Sequence, residues 1–479
     1  MSASKSCRVL RSAGRALVPV VAVSGLLVGL CAPRGRTAEA LQATNGGWAF
    51  TTTGPSQEID GTTWYTASER STTLPSGLVV SIAVTGSGAG MADTGGEALS
   101  VRGGASGHFV SDDLLAALGA KLVTTDAGCA YGTLCANRGT FQVSFSSPVT
   151  DPVISFSGIG GFNWFDASST VSWTELVLTT PGVTLTKLSG KNLTVSGTRI
   201  EPTDKNPTLN CSIDSDAGAG STASAVCGSV KVNGTVSSVS FTADLGSACH
   251  GTCYTGPNKT EDVWAMVVSV GEDFGSAPVS YDTAPSSHVV GSLRMGATVT
   301  ADQTGTLDPS SNVDAVAAGA DITTKDDGTA AFSGTPVFRK GSNFSATVAL
   351  AGVSSPATLC GWIDFNANGT FDPEERACAS PGAGATSARL VWPVPTDISA
   401  SAKYARLRLS FAAGADSPVG KLPSGEVEDY SFAPVISEGG LPPTGADPFA
   451  LTLSGLFLLL SGLVLLRGRI AGRRENLAR

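Results

Sequence analysis

Histidine occurs three times in this 479-residue chain, as His108, His250 and His288, which leaves little material for imidazole base catalysis or a zinc hydrolase centre. Also missing are a Gly-x-Ser-x-Gly elbow, a His-Glu-x-x-His helix and a phosphate-binding Gly-Lys loop. A glycosidase needs only two carboxylates, so that class escapes exclusion by motif and gains no positive support. The chain is read as a non-enzyme. Charged residues make up only 15%, and heptads, long amphipathic helices and low-complexity repeats are absent, which removes coiled coils.

What charge there is sits unevenly. Of 31 Lys and Arg, six lie in residues 1–40 and five in 445–479, so residues 41–444 keep 20 basic against 37 acidic side chains. No basic stripe remains to neutralise phosphates, and nucleic acid is not an expected partner. The length allows two or three domains, each large enough to bury a core.

The two ends carry targeting patterns. Lys5, Arg8, Arg11 and Arg15 precede an apolar run over 16–32 and then Ala38-Glu39-Ala40, the order of a signal peptide with a small-residue cleavage site. An uncleaved anchor is the alternative, and Cys31 invites a lipoprotein reading that Leu30, too large for a lipobox, argues against. At the other end Leu441-Pro442-Pro443-Thr444-Gly445 is followed by an uncharged stretch over 448–466 and by Arg467, Arg469, Arg473 and Arg474. Nineteen residues can span hydrocarbon, with the arginines held on the cytoplasmic side. The order resembles the LPXTG sorting signal. That resemblance implies that a sortase cleaves between Thr444 and Gly445 and joins Thr444 to peptidoglycan, giving a secreted, cell-wall-attached surface protein; a permanent single-pass anchor is the alternative.

Eight cysteines follow the signal segment in close pairs: Cys129 with Cys135, Cys211 with Cys227, Cys249 with Cys253, and Cys360 with Cys378. An even count in an exported chain reads as disulfides, with nearest-neighbour pairing expected. Zinc held by Cys249, His250 and Cys253 is the rival and lacks a fourth ligand.

Between the ends, residues 41–280 read as short strands punctuated by Gly, Ser, Thr and Asn. Phe141, Val143 and Phe145 alternate with polar residues, and Asn233-Gly234 falls where a tight hairpin turn needs positive φ. One helix is expected over 111–122, capped by Ser111. The fold class is therefore all-β: two consecutive antiparallel β-sandwiches, 41–280 and 281–436, flanked by the signal peptide (1–40) and a sorting segment with its transmembrane helix (437–479). The stretch from Phe145 to Gly161, with Pro148, Pro152, Gly158, Gly160 and Gly161, resembles the lectin-like domain of CshA-type fibrillar adhesins. This implies a sandwich that binds host or matrix glycoprotein or glycan, and assigns no binding residue. Trp48, Trp64, Trp164 and Trp173 are either sugar-stacking platforms or core residues.

A second unit opens near Ser287 and closes on Gly425-Glu426-Val427-Glu428-Asp429-Tyr430, with Trp362-Ile363-Asp364-Phe365-Asn366 between. These motifs resemble the GEVED domain of bacterial surface proteins, which implies a small sandwich with a structural or binding role. Within it, Asp364, Asn366, Asn368, Thr370, Asp372 and Glu375 fall at positions one, three, five, seven, nine and twelve of an EF-hand loop, with Gly369 at six. Hard oxygen ligands at that spacing suit calcium, although an Asx-rich turn without an ion has the same residues. Trp362 to Phe365 reads as a strand and Pro373 discourages a long exiting helix, so the loop is expected between strands. Alternation places Glu426 and Glu428 on one face with Val427 toward the core, where the two acids complete a cation site or pair with Arg406 and Arg408. The expected function is a wall-linked adhesin, with a structural stalk and a wall-attached carbohydrate-processing enzyme as alternatives.

Overall fold

The computed structural model describes residues 41–59, 62–92, 96–102, 104–125, 130–162, 170–205, 226–249, 261–299, 301, 326–398, 400–401 and 403–438. The expected signal peptide (1–40) and, beyond residue 438, the expected sorting segment (437–479) lie outside them. Among the described residues helical structure is confined to short 3-10 turns, and the fold is all-β.

Two sheets face each other across the first core. One runs, edge to edge, through Thr184–Lys191, Val226–Asn233, Val153–Ile159, Glu261–Phe274, Leu118–Thr125, Ala89–Ala92, Thr62–Tyr65 and Ser56–Ile59; the other through Leu193–Ser196, Arg199–Pro202, Thr170–Leu178, Thr235–Cys249, Leu134–Thr150, Val79–Thr85, Ala67–Thr73 and Ala49–Thr52. Period-two alternation turns Phe141 and Val143 inward from the second sheet to meet Ile154, Phe156 and Trp264 from the first. Trp264 sits at the centre, edge-on to Phe141 with ring centroids 5.0 Å apart.

The second core lies between the sheet Arg376–Ala379, Thr358–Ile363, Lys403–Ser410, Glu426–Phe432 and the sheet Arg294–Met295, Asn343–Ala351, Ser387–Pro393. Leu359, Leu407, Leu409 and Phe432 from the one pack on Val348, Leu390 and Trp392 from the other. Cys360 and Cys378 are cross-strand partners and form a disulfide, as expected from their proximity in sequence. Of the other three expected pairs, Cys129, Cys211 and Cys253 lie outside the described residues.

The two cores are joined without a spacer. Strand Glu261–Phe274 belongs to the first sandwich, yet its end pairs antiparallel with Ser286–Val289, which pairs in parallel with Gly420–Leu422 of the second.

Two local expectations are corrected. Residues 111–122 are not a helix: Ser111 Oγ accepts from Asp113 N at 3.3 Å and caps a single 3-10 turn, Asp112–Leu115, after which Leu118–Thr125 is a strand. Val123, Thr124 and Thr125 are β-branched, and pairing on both sides outweighs local helix propensity. Asn233-Gly234 is not a hairpin turn either. The strand before it pairs in the first sheet and the strand after it in the second, so the chain crosses between layers there. Gly234 N donates to Asp151 Oδ1 at 2.8 Å, and Asp151 marks the matching crossover between Leu134–Thr150 and Val153–Ile159.

Gly234 has φ +126°, well beyond the left-handed region near +57° that Asn tolerates in hairpins. Gly234→Asn is therefore expected to lower stability by about 1–3 kcal/mol, as read by urea denaturation. A neutral effect would show that the crossover does not depend on a conformation reserved to glycine.

Candidate functional site

The loop after Thr358–Ile363 is held by its own side chains. Ala367 and Gly369 take positive φ (57° and 82°), which reverses the chain within a few residues. Asp364 is fully buried; its carboxylate accepts from Asn368 N at 3.2 Å, Gly369 N at 3.0 Å and the Tyr281 hydroxyl at 2.6 Å. Glu375 closes the loop from the other end, accepting from Phe365 N at 2.7 Å and Asp372 N at 3.1 Å. It does so from the 3-10 turn Pro373–Glu375, which leads into strand Arg376–Ala379. The loop thus lies between strands, as its proline suggested.

Asp372 accepts from the side-chain amides of Asn366 (3.2 Å) and Asn368 (2.8 Å), and these bonds hold its pKa below the usual carboxylate range. Thr370 turns its hydroxyl to Asn368 Oδ1 at 2.7 Å. Burial, opposed by backbone hydrogen bonds and reinforced by Asp364, pushes Glu375 up to about 7. Buried Lys403 donates to Phe365 O at 2.6 Å, which brings a cation to the same loop. All six sequence-predicted ligands are therefore in one loop. Among the described residues, however, no three acidic, thiol or imidazole side chains form a ready cluster for a metal.

The acidic string at 425–430 sits differently from its sequence reading. Glu426, Glu428 and Tyr430 face inward, opposite Leu409, Leu407 and Ala405 of the neighbouring strand, while Val427 and Asp429 face outward opposite Arg408 and Arg406. The outer face is also buried, because the junction covers it. Asp429, not Glu426 or Glu428, takes Arg406, through Nε at 2.8 Å and Nη2 at 2.8 Å. The same carboxylate accepts from Ser276 N and Ala277 N, and Arg406 reaches Asp282 at 2.5 Å. Arg408 donates to His288 Nε2 at 3.1 Å and to the carbonyls of Ser417, Val419 and Gly420. His288 is fully buried, and burial keeps it neutral, with its pKa well below the ordinary value. Asp273, Tyr281, Asp282 and His288 were not legible as partners, since each meets its counterpart across 80 residues or more.

Residues 358–433 match the GEVED domain model. This stretch is a GEVED domain. No curated protein shows significant similarity to the chain. The domain's signature string has a structural reading at each position. Gly425 has φ +97°, and a Cβ there would overlap the Leu409 carbonyl. Glu426 accepts from Met295 N at 2.5 Å, Val427 N donates to Asp273 at 2.8 Å, Glu428 accepts from Gly328 N at 2.8 Å and the Tyr430 hydroxyl at 2.7 Å, and Asp429 holds Arg406.

Burial raises both inward glutamates, with the charge of Glu428 adding to the shift of Glu426; Glu428 reaches about 7. A carboxyl raised on folding contributes stability below its unfolded pKa, near 4.5, and loses it as pH rises through the folded value. In chelator, stability is expected to fall between pH 5 and 8, by up to about 1.4 kcal/mol per pH unit for each proton. Glu428→Gln should flatten that slope in urea titrations; an unchanged slope would remove Glu428 as its source.

Proposed function

We propose that the chain is a cell-wall-anchored surface adhesin that binds host or matrix glycoprotein or glycan. The observation that carries the reading is the order at the C-terminal end: Leu441 to Gly445, the apolar stretch over 448–466 and the four arginines. Sortase transfer of Thr444 to peptidoglycan is what that order implies, and the Cys360–Cys378 bridge with six further cysteines in close sequence pairs suits an oxidising exterior. The spacer-free union of the two β cores supports a stiff outward-facing rod, and it equally favours the second reading, a structural stalk without a host ligand.

Calcium fits the GEVED loop as a structural ion. Asp364, Asn366, Asn368, the Thr370 carbonyl, Asp372 and Glu375 are hard oxygen donors in one turn. Two of them, Asp364 and Glu375, are buried carboxyls whose mutual repulsion a cation would relieve. Rotation of the Asn366 and Asn368 amides would present oxygen where nitrogen now meets Asp372. The ion would fix the turn and neutralise its carboxylates.

Titration calorimetry on the full chain should give calcium binding in the range of about 10⁻⁴–10⁻³ M, lost in Glu375→Gln; no heat at millimolar calcium from a folded protein excludes the ion. For the adhesin, cells carrying Thr444→Ala should shed the protein into the medium and lose saturable attachment to immobilised matrix glycoproteins. Retention in the wall fraction overturns sortase anchoring. Anchored wild-type protein that attaches to nothing on a broad glycoprotein and glycan panel puts the stalk ahead.

A further inference from the structure

The outer face of the second sheet in the N-terminal sandwich carries a groove of about 690 Å³, lined by Trp173, Glu175, Thr198, Arg199, Lys205 and Ser247 among others. Its size falls within the range of about 300–1,000 Å³ usual for small-ligand sites. The inward neighbours on the same strands, Leu176 and Ile200, belong to the core, so the strand period sends Trp173, Glu175 and Arg199 to the opposite face. Gly246 is the cross-strand partner of Trp173, and a Cβ there would overlap the indole. The ring therefore lies down on bare backbone.

Around the ring is a charge array out of keeping with an ordinary exposed sheet face. Glu175 is 2% exposed. It accepts from Trp173 Nε1 at 3.0 Å, Lys205 Nζ at 2.7 Å and Arg199 Nη1 at 2.5 Å. Arg199 Nη1 also meets Asp244 at 2.9 Å, and Lys205 meets Glu201 at 2.7 Å. Each cation thus bridges two carboxylates, which fixes both long side chains before any ligand arrives. Arg199 spends one nitrogen on these contacts; its Nε and Nη2 donate to no protein group among the described residues. Lys205 Nζ stands over the Trp173 ring, 6.0 Å from its centre, so a ligand meets the indole beside an ammonium.

We infer that this groove binds a neutral oligosaccharide, a reading that rests on the adhesin proposal and gives it a site. A flat aromatic surface takes the apolar face of a pyranose, and spare guanidinium donors beside carboxylate acceptors match hydroxyls, which both give and accept hydrogen bonds. The hydroxyl of exposed Thr198 adds to the same rim. Arg199 and Lys205 against Glu175, Glu201 and Asp244 leave the array one negative charge, which disfavours sialylated or sulfated chains. The density of polar groups disfavours a lipid. Pre-paired cations lose little side-chain entropy on binding, so selectivity comes from a site already formed.

The test applies the full chain to an array of neutral oligosaccharides (lactosamine, chito- and gluco-series) with sialylated and sulfated counterparts. Thr198→Trp fills the groove from an exposed rim position, and Lys205→Gln removes one cation. Binding to neutral members, weakened at least tenfold by Thr198→Trp and by Lys205→Gln at unchanged melting temperature, supports the site. Preference for the anionic members, or neutral binding that Thr198→Trp leaves intact in a folded protein, overturns it. Attachment of the same chain to matrix glycoprotein that survives both Thr198→Trp and enzymatic deglycosylation overturns the groove while leaving adhesion standing. Binding to neither array nor glycoprotein sinks both.

Discussion

The guanidinium of Arg406, fully buried between Asp429 and Asp282, is the constraint on which the second half of the molecule depends. Removing a charge from water is expensive, and burial is tolerable only when every donor finds an acceptor. Arg406 meets that condition with two carboxylates and the Pro418 carbonyl. The partners come from three places: a strand of the GEVED sheet, the segment leaving the N-terminal sandwich, and the loop before Gly420–Leu422. All of them are satisfied together in this one arrangement of the junction.

That arrangement propagates. Asp429 also takes the amides of Ser276 and Ala277, which fixes the chain as it leaves the long strand Glu261–Phe274. A few residues on, Tyr281 reaches Asp364 and packs at a tilt against Phe371, with ring centroids 4.5 Å apart, while Arg406 lies 5.4 Å from the Phe371 ring centre. The candidate ion loop and the junction therefore share side chains. A turn that holds its carboxylates in place therefore also bears on the segment that leaves the first sandwich.

Much of the layout was readable from residue order. Alternation at Phe141, Val143 and Phe145 indicated an inward face, the close cysteines predicted the Cys360–Cys378 bridge, and the Asp364–Glu375 spacing predicted a tight loop between strands. The errors have a common origin. Residues 111–122 looked helical because cap and leucine spacing are local signals, whereas the strand they became is set by partners more than 100 residues away. Asn233-Gly234 marked a change of direction correctly but could not say into which sheet. At 426–429 the period of two was right and the phase was wrong, because both faces of that sheet are buried.

Composition, spacing and periodicity alone determined that this chain is all-β, that Cys360 and Cys378 are bridged, and that an oxygen-rich loop lies between strands, since each of these is a property of neighbours along the chain. Tertiary structure alone decided which acid meets Arg406, that Ser286–Val289 pairs with strands on both sides of the junction, and that Trp173, Glu175, Arg199 and Lys205 converge on one groove. Those outcomes depend on the register of strands far apart in sequence, and a shift of one residue would send every one of these side chains to the other face.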